Sequence, residues 1–123
     1  MSTRATIHSV AAPVLEHCDR GAGQFELAVH APEVAATAEP GQFAHLRCEL
    51  ARREVGDTVR VLGPIGVPFT VPETVTRPLL LGGGVGIPPV QFLARRLAPQ
   101  GRPAAAFLGS EVPFPFAEQE AGL

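Results

Sequence analysis

The chain has no lysine, tryptophan or tyrosine, and all ten of its basic residues are arginine. The absence of lysine excludes a Walker A phosphate loop, a Schiff base and a Ser–Lys nucleophile pair. The absence of tyrosine excludes a phenolic acid. Two cysteines, Cys18 and Cys48, are too few for a disulfide framework or a cysteine-ligated metal site. They are expected as reduced thiols of a cytoplasmic protein. Charged residues make up only 18% and the formal net charge is −2, a poor fit to a disordered chain or a nucleic-acid binder. No apolar run approaches 18 residues, so no membrane span is expected. The N-terminal MSTRATIHSV lacks the apolar stretch of a secretory signal. His8, His17, His30 and His45 are scattered, without ligand spacing to one another or to a carboxylate on an evident helix.

Hydrophobic residues reach 46% of 123, enough for one domain or two small lobes. Residues 1–77 read as β-structure. From Gln24 to His30 the side chains alternate, Phe25, Leu27 and Val29 against Glu26, Ala28 and His30. Gln42 to Cys48 sets Ala44, Leu46 and Cys48 opposite Phe43, His45 and Arg47. Thr58 to Leu62 is a short β-branched run, and Ala5 to Val14 a weaker strand candidate. Pro40-Gly41 fits the centre of a type II turn. Gly63-Pro64-Ile65-Gly66 is expected to bend the chain after Leu62. Short strands at near-regular spacing predict a small antiparallel barrel or sandwich.

Beyond residue 77 the period changes. Pro78 to Leu81 is an apolar run suited to a strand buried on both faces. Gly82 to Gly86 is a glycine-rich turn. Pro88 and Pro89 preset a first helical turn, predicting a helix over 88–98. Val90, Leu93 and Leu97 share one face of it, with Arg95 and Arg96 in its last turn. Pro103 to Leu108 is the next strand. Strand, turn, helix and strand open a parallel α/β layer, so the fold class is α+β overall, an incomplete antiparallel β-barrel followed by this layer. Two parallel strands and one helix cannot bury both sheet faces, which points to a partner or to a fragment of a longer protein. Phe114 and Phe116 have no element of their own, and Glu118 and Glu120 read as exposed tail charges.

The stretch LLLGGGVGIPP, Leu79 to Pro89, carries the chemistry. A strand delivers the chain to glycines that allow tight turning and close ligand approach, and a helix start then offers amides and a positive dipole end. That combination suits a phosphate or pyrophosphate. Ile87 stands where G-x-G-x-x-G would need its last glycine, so the fingerprint is not the usual Rossmann turn. A corner that needs glycine only to pack helix on strand would give the same pattern.

Three segments in order, PGQFAHLRC (Pro40 to Cys48), VGDTVRVLGPIG (Val55 to Gly66) and LLLGGGVGIPPVQFLARRL (Leu79 to Leu97), resemble the ferredoxin–NADP⁺ reductase superfamily. Within it the chain is similar to the electron-transfer subunits of dihydroorotate dehydrogenase. The tail from Phe107, FLGSEVPFPFAEQEAGL, resembles the same group. The resemblance implies an FAD-binding barrel over 1–77 and the start of an NAD(P)-binding α/β domain over 78–123. It implies electron transfer between a pyridine nucleotide, FAD and an iron–sulfur (2Fe-2S) centre during dihydroorotate oxidation in pyrimidine biosynthesis. The implied partner is the catalytic dihydroorotate dehydrogenase subunit, with no nucleic acid or membrane. By resemblance Gly82, Gly83, Gly84, Val85, Gly86, Ile87 and Pro88 form the loop facing the dinucleotide pyrophosphate, and Gly109 and Ser110 the turn after the next strand, near the nucleotide. The turn at Pro40 to Phe43 is a structural marker of the barrel.

The chain departs from the family pattern between Cys48 and Val55. The Arg-x-x-Ser segment that meets FAD, and a second glycine-rich segment that meets its phosphates, have no counterpart there. Arg52-Arg53 lacks the following Pro and Ser and reads as part of a solvated loop. The family's cluster cysteines also have no counterpart. The chain is therefore expected to be an internally deleted and C-terminally truncated form of low or no activity when alone. Two other readings fit the same residues: a non-catalytic β-module that docks on a partner subunit, and a sulfhydrogenase or sulfite reductase subunit of the same superfamily.

Overall fold

The computed structural model describes residues 6–21, 23–49 and 52–110 of the 123-residue chain. Phe114, Phe116, Glu118 and Glu120 lie outside the described residues. The chain divides into two compact units, residues 1–66 and 67–123.

The first unit is a curled antiparallel sheet, a half-barrel of four strands. They are β1 (His8–Gly21), β2 (Gln24–Val29), β3 (Phe43–Arg47) and β4 (Thr58–Ile65), in the spatial order β2-β1-β4-β3. The long β1 serves two neighbours. Residues 8–13 pair with β4 and residues 14–21 with β2. The ladder steps from Val14↔Val29 to Glu16↔Ala28, so Leu15 is an extra residue, a bulge that bends the strand where it changes partner. Ala12 and Val14 of β1 and Val59 and Val61 of β4 bury completely on the concave face, joined by Leu27, Val29, Leu46 and Cys48 from the outer strands. Each buried valine contributes about 2 kcal/mol relative to exposure. The alternation in the sequence thus gives Leu27 and Val29 of β2 and Leu46 of β3 as inward, whereas Ala44, at the register slip of β3, is exposed.

Two local expectations change. First, the strand at Thr58 does not end at Leu62. It runs to Ile65, with Gly63 paired to His8 and Ile65 to Phe43. Between Phe43↔Ile65 and His45↔Leu62 the register slips by one residue, so Pro64 sits in a bulge where the ladder needs no amide from it. The bend follows at Gly66, whose φ is +99°. Second, Pro32–Thr37 forms a short helix, α1, whose Val34 joins the core. Six residues are too few for a periodic signal; the local signs are Pro32 at the first turn and Glu33 beside it. The Pro40-Gly41 turn forms as expected, with Gly41 at φ +99° and the Gln42 amide donating to the Glu39 carbonyl at 3.1 Å.

The second unit is a parallel pair, β5 (Leu79–Gly83) and β6 (Ala105–Gly109), with helix α2 (Ile87–Leu97) on one face. The helix starts one residue before Pro88. Its buried stripe is Val90, Leu93, Ala94 and Leu97 against Leu80, with Ile87 buried at its first turn. Arg96 lies over the Phe92 ring, 5.1 Å from its centroid. The expectation of a strand buried on both faces is corrected here. Leu80 is buried under α2, but Leu79 and Leu81 on the opposite face are 62% and 72% exposed, as is Phe107 of β6 at 62%. A single helix covers a single face, and alternation along the strand leaves the other leucines outward. Among the described residues no helix is long and apolar enough to cross a membrane.

The segment before β5 is fastened to this unit by Arg102. Its guanidinium donates to the carbonyls of Val75 at 2.9 Å, Pro72 at 2.7 Å and Val71 at 3.4 Å. Val71 also packs on the core beneath α2. One planar cation thereby satisfies three carbonyls of a segment with no strand or helix of its own. Arg102→Ala should lower stability to urea by about 2 kcal/mol, read as a shift of the denaturation midpoint. A shift within about 0.5 kcal/mol, the range of ordinary surface changes, would show that the segment is held by packing alone.

Candidate functional site

The site residues lie at the carboxyl end of the β5–β6 pair. β5 carries Gly82 and Gly83 as its last residues, a single 3₁₀ turn takes Gly84 to Gly86, and α2 begins at Ile87. The parallel register places Gly83 opposite Gly109. The structure therefore brings Gly82, Gly83, Gly84, Val85, Gly86, Ile87 and Pro88 to the same sheet end as Gly109 and Ser110. Ligands of open α/β sheets bind at this end of the strands.

The glycines have separate reasons to be glycine. A Cβ on Gly82 would come within 3.1 Å of the Gly86 carbonyl oxygen and of Val90 Cγ2, and within 3.3 Å of Leu108 Cδ2. This position is a close approach of strand to helix, the packing corner that glycine alone allows. Gly84 has φ +54°, a left-handed conformation, and nothing lies within 4 Å of its Cβ position. Gly86 and Gly109 also face open space, and Gly83 meets only the Gly109 carbonyl at an ordinary 3.7 Å. Packing thus accounts for Gly82 and backbone conformation for Gly84. Neither accounts for Gly83, Gly86 or Gly109, which leave the sheet end bare of side chains.

The donors are equally specific. The Ile87 amide is spent on the Gly84 carbonyl, and its side chain is buried. Pro88 and Pro89 have no amide to give. The 3₁₀ turn itself spends the Gly86 amide on the Gly83 carbonyl, and the ladder that pairs Gly83 with Gly109 spends the Gly84 amide, which leaves the amide of Val85, 97% exposed, outside both patterns. The helix has no side-chain cap and no acidic residue in its first turn, so its positive end is not neutralised by its own chain. These features fit the pyrophosphate of a dinucleotide: a bare backbone, the exposed Val85 amide and a helix start.

The loop where the family pattern is interrupted holds Arg52 and Arg53. Among its described residues, Arg52 Nε pairs with Glu49 Oε2 at 3.1 Å, and Arg53 Nε donates to the Glu49 carbonyl at 3.4 Å. Both contacts lie in their own exposed loop, these two arginines build no cradle for an FAD pyrophosphate, and no step through FAD follows from them. Among the described residues no group of three His, Cys, Asp or Glu side chains could hold a metal ion. Cys18 and Cys48 are half-buried free thiols.

A side chain without a chemical signature joins the two barrel motifs. Gln42 accepts from the Glu39 amide at 2.9 Å and donates through Nε2 to the Gly66 carbonyl at 3.0 Å. It locks the Pro-Gly-Gln-Phe turn to the end of β4, while the Phe43 ring lies against Gly66. A glutamine in a turn carries no pattern of its own, so only the fold reveals the bond.

The half-barrel and the parallel layer together form a ferredoxin reductase-like fold. An NADH-dependent reduced ferredoxin–NADP oxidoreductase, solved for the study of flavin-based electron bifurcation, superposes with a TM-score of 0.72 at 24% identity, over 85% of this chain and 50% of its own. The ferredoxin reductase of carbazole 1,9a-dioxygenase, in its FAD apo form, superposes with a TM-score of 0.66 at 22% identity, over 88% of this chain and 46% of its own. No protein-family model matches the chain. By sequence it is similar to electron-transfer subunits of dihydroorotate dehydrogenase B (NAD(+)). The Bacillus caldolyticus subunit is 44% identical over 62 residues, 49% of this chain and 24% of its own. The Shouchella clausii subunit is 29% identical over 123 residues, 69% of this chain and 48% of its own. The chain spans about half the length of these relatives or less. The Shouchella match also runs over 123 aligned residues while using 69% of a 123-residue chain, so about 38 positions of the relative face no residue here.

The two kinds of glycine make separable predictions. Gly82→Ala should cost about 2 kcal/mol, since the new methyl meets backbone and a packed valine. Gly83→Ala, with room for its methyl, should stay within about 0.5 kcal/mol. Chemical denaturation of both variants reads the difference; equal losses would refute the division of roles.

Proposed function

We propose that the chain is a shortened electron-transfer subunit of the dihydroorotate dehydrogenase type, whose second unit receives a pyridine nucleotide. The first unit is the remnant of the flavin barrel and the second the start of the NAD(P)-binding domain. The observation that carries this reading is the bare carboxyl end of β5 and β6. Gly83, Gly84, Gly86 and Gly109 leave open space there, and the relatives it matches are named for NAD(+).

In this reading the Val85 amide donates to a pyrophosphate oxygen, and the unneutralised start of α2 favours the anionic charge. Pro88 and Pro89 fix the backbone of the helix start and bring no amide of their own to the ligand. The Gly109-Ser110 turn forms the neighbouring wall without a side chain in the way. The nicotinamide, when bound, supplies a hydride; this chain contributes orientation, not an acid or base. In a complete subunit the electrons would pass through FAD and a 2Fe-2S centre to or from the catalytic dihydroorotate dehydrogenase partner, in pyrimidine biosynthesis. The missing Arg-x-x-Ser segment between Cys48 and Val55 supports a loss of that flavin step in this form.

Titration with NADH, followed by its fluorescence, tests the nucleotide reading. The chain should bind NADH, and Gly86→Val should weaken binding about tenfold or more with unchanged thermal melting, because the valine enters space that is open in the fold. Binding equal to the parent chain would reduce the turn to a packing corner. Titration with FAD should show no micromolar affinity; a tight complex carrying flavin absorbance would place a flavin cradle elsewhere in the first unit.

A further inference from the structure

The chain carries twelve acidic and ten basic residues, yet one surface of its first unit has charge of a single sign. Arg60 of β4 alternates with the buried Val59 and Val61 and so lies on the convex face of the sheet, as does Leu62. The register flanks Arg60 with Ala11 of β1 and Arg47 of β3, and Leu62 with Ser9 of β1 and His45 of β3. Residues directly opposite one another share a face of the pleat, and all six are exposed. This patch across three strands holds two arginines and a histidine and no carboxylate.

The two arginines set the patch apart. As direct partners across the ladder, Arg47 and Arg60 have Cβ atoms roughly 5 Å apart, and their like charges oppose the pairing of β3 with β4. Among the described residues neither guanidinium has an ion pair or a hydrogen bond. The acids nearest to them in sequence are committed elsewhere. Glu49 holds Arg52 at 3.1 Å, and Asp57 Oδ2 accepts from the Glu54 amide at 2.9 Å. Toward β1 the face carries only the small side chains of Ala11 and Ser9, which leave Arg60 open to a ligand from that side.

We propose that Arg47 and Arg60 together bind a phosphate dianion, either free or as the monoester of a small molecule. Two charges on one phosphorus match the two guanidinium groups, and three free oxygens let each planar fork make paired hydrogen bonds. A carboxylate has one charge and two oxygens, which a single arginine satisfies. The phosphates of a dinucleotide are diesters with one charge each, so this face is a poor second site for the nucleotide of the other unit. The bound anion also cancels the repulsion across the ladder, which couples binding to the stability of the β3–β4 pair. Neither arginine belongs to the glycine turn, so a failure here leaves the nucleotide reading untouched.

Titration of the whole chain with ribose 5-phosphate at pH 8, followed by amide chemical shifts, is the test. Saturable shifts are expected at residues 45–47 and 58–62, with a dissociation constant of about 1 mM or below. Inorganic phosphate should move the same amides, and ribose or sodium chloride of equal ionic strength should not. Tighter binding of ribose 5-phosphate assigns the site to an ester, and equal or tighter binding of inorganic phosphate assigns it to the free ion. Arg47→Gln and Arg60→Gln should each weaken binding about tenfold, whereas Arg77→Gln in the second unit should leave it unchanged. In phosphate-free buffer both sheet variants should melt no lower than the parent chain, because each removes a like charge, and phosphate should raise the melting temperature of the parent by more than that of either variant. Shifts that do not saturate, or that sodium chloride reproduces, would overturn the proposal. So would shifts confined to residues 84–86, an affinity unchanged in both sheet variants, or variants that melt below the parent chain.

Discussion

Val14 is the point on which the first unit turns. It is 1% exposed, it is the last inward residue before the Leu15 bulge, and it stands where β1 leaves β4 for β2. Its amide donates to the Asp57 carbonyl at 2.7 Å and its carbonyl accepts from the Gly56 amide at 3.0 Å, so the loop before β4 is pinned to the bend. The neighbouring Pro13 carbonyl accepts from His30 at 2.9 Å, which ties the end of β2 to the same place. A straight β1 could not pair with both neighbours and keep Ala12, Val14, Val59 and Val61 on one concave face. The curl of the sheet, the direction of the outer strands and the placement of the Gln42–Gly66 clamp all follow from this bend.

The second unit shows how a short α/β layer divides labour among similar residues. Gly82 lets α2 approach β5, Gly84 turns the chain, and Gly83, Gly86 and Gly109 clear the sheet end. Helix α2 gives a ligand no amide from its first turn. Its prolines withdraw two amides and Ile87 spends a third, so the remaining donor, Val85, comes from the turn rather than from the helix. The same unit leaves Leu79, Leu81 and Phe107 outward on its other face, the direct consequence of one helix on a two-sided sheet.

The relatives and the fold agree. About 38 positions of the Shouchella relative have no counterpart, and the family pattern is interrupted between Cys48 and Val55. What remains around the interruption is continuous: β3 ends at Arg47, β4 begins at Thr58, and the two pair with each other. The order β2-β1-β4-β3 leaves the inner leucines and valine of the outer strands covered less than the valines of the central ones.

Periodicity alone made β2, β3, α2 and most of their inward faces legible, because burial on one side imposes period two or 3.6 on the sequence. The Pro40-Gly41 turn was legible from the backbone chemistry of its residues, and the glycine turn from its place between strand and helix. The path of β4 through Pro64 was not, since a bulge is a relation between two strands and Pro64 by itself reads as a break. Helix α1 was not, since six residues carry less than two periods. Local sequence thus determined which segments extend, coil and turn, and which side chains face inward. Only the tertiary structure decided that β1 serves two partners, that Gly82 differs in purpose from Gly83, and that Arg102 fastens a segment 27 to 31 residues before it. Those outcomes depend on distances between residues far apart in the chain, which no single stretch of sequence contains.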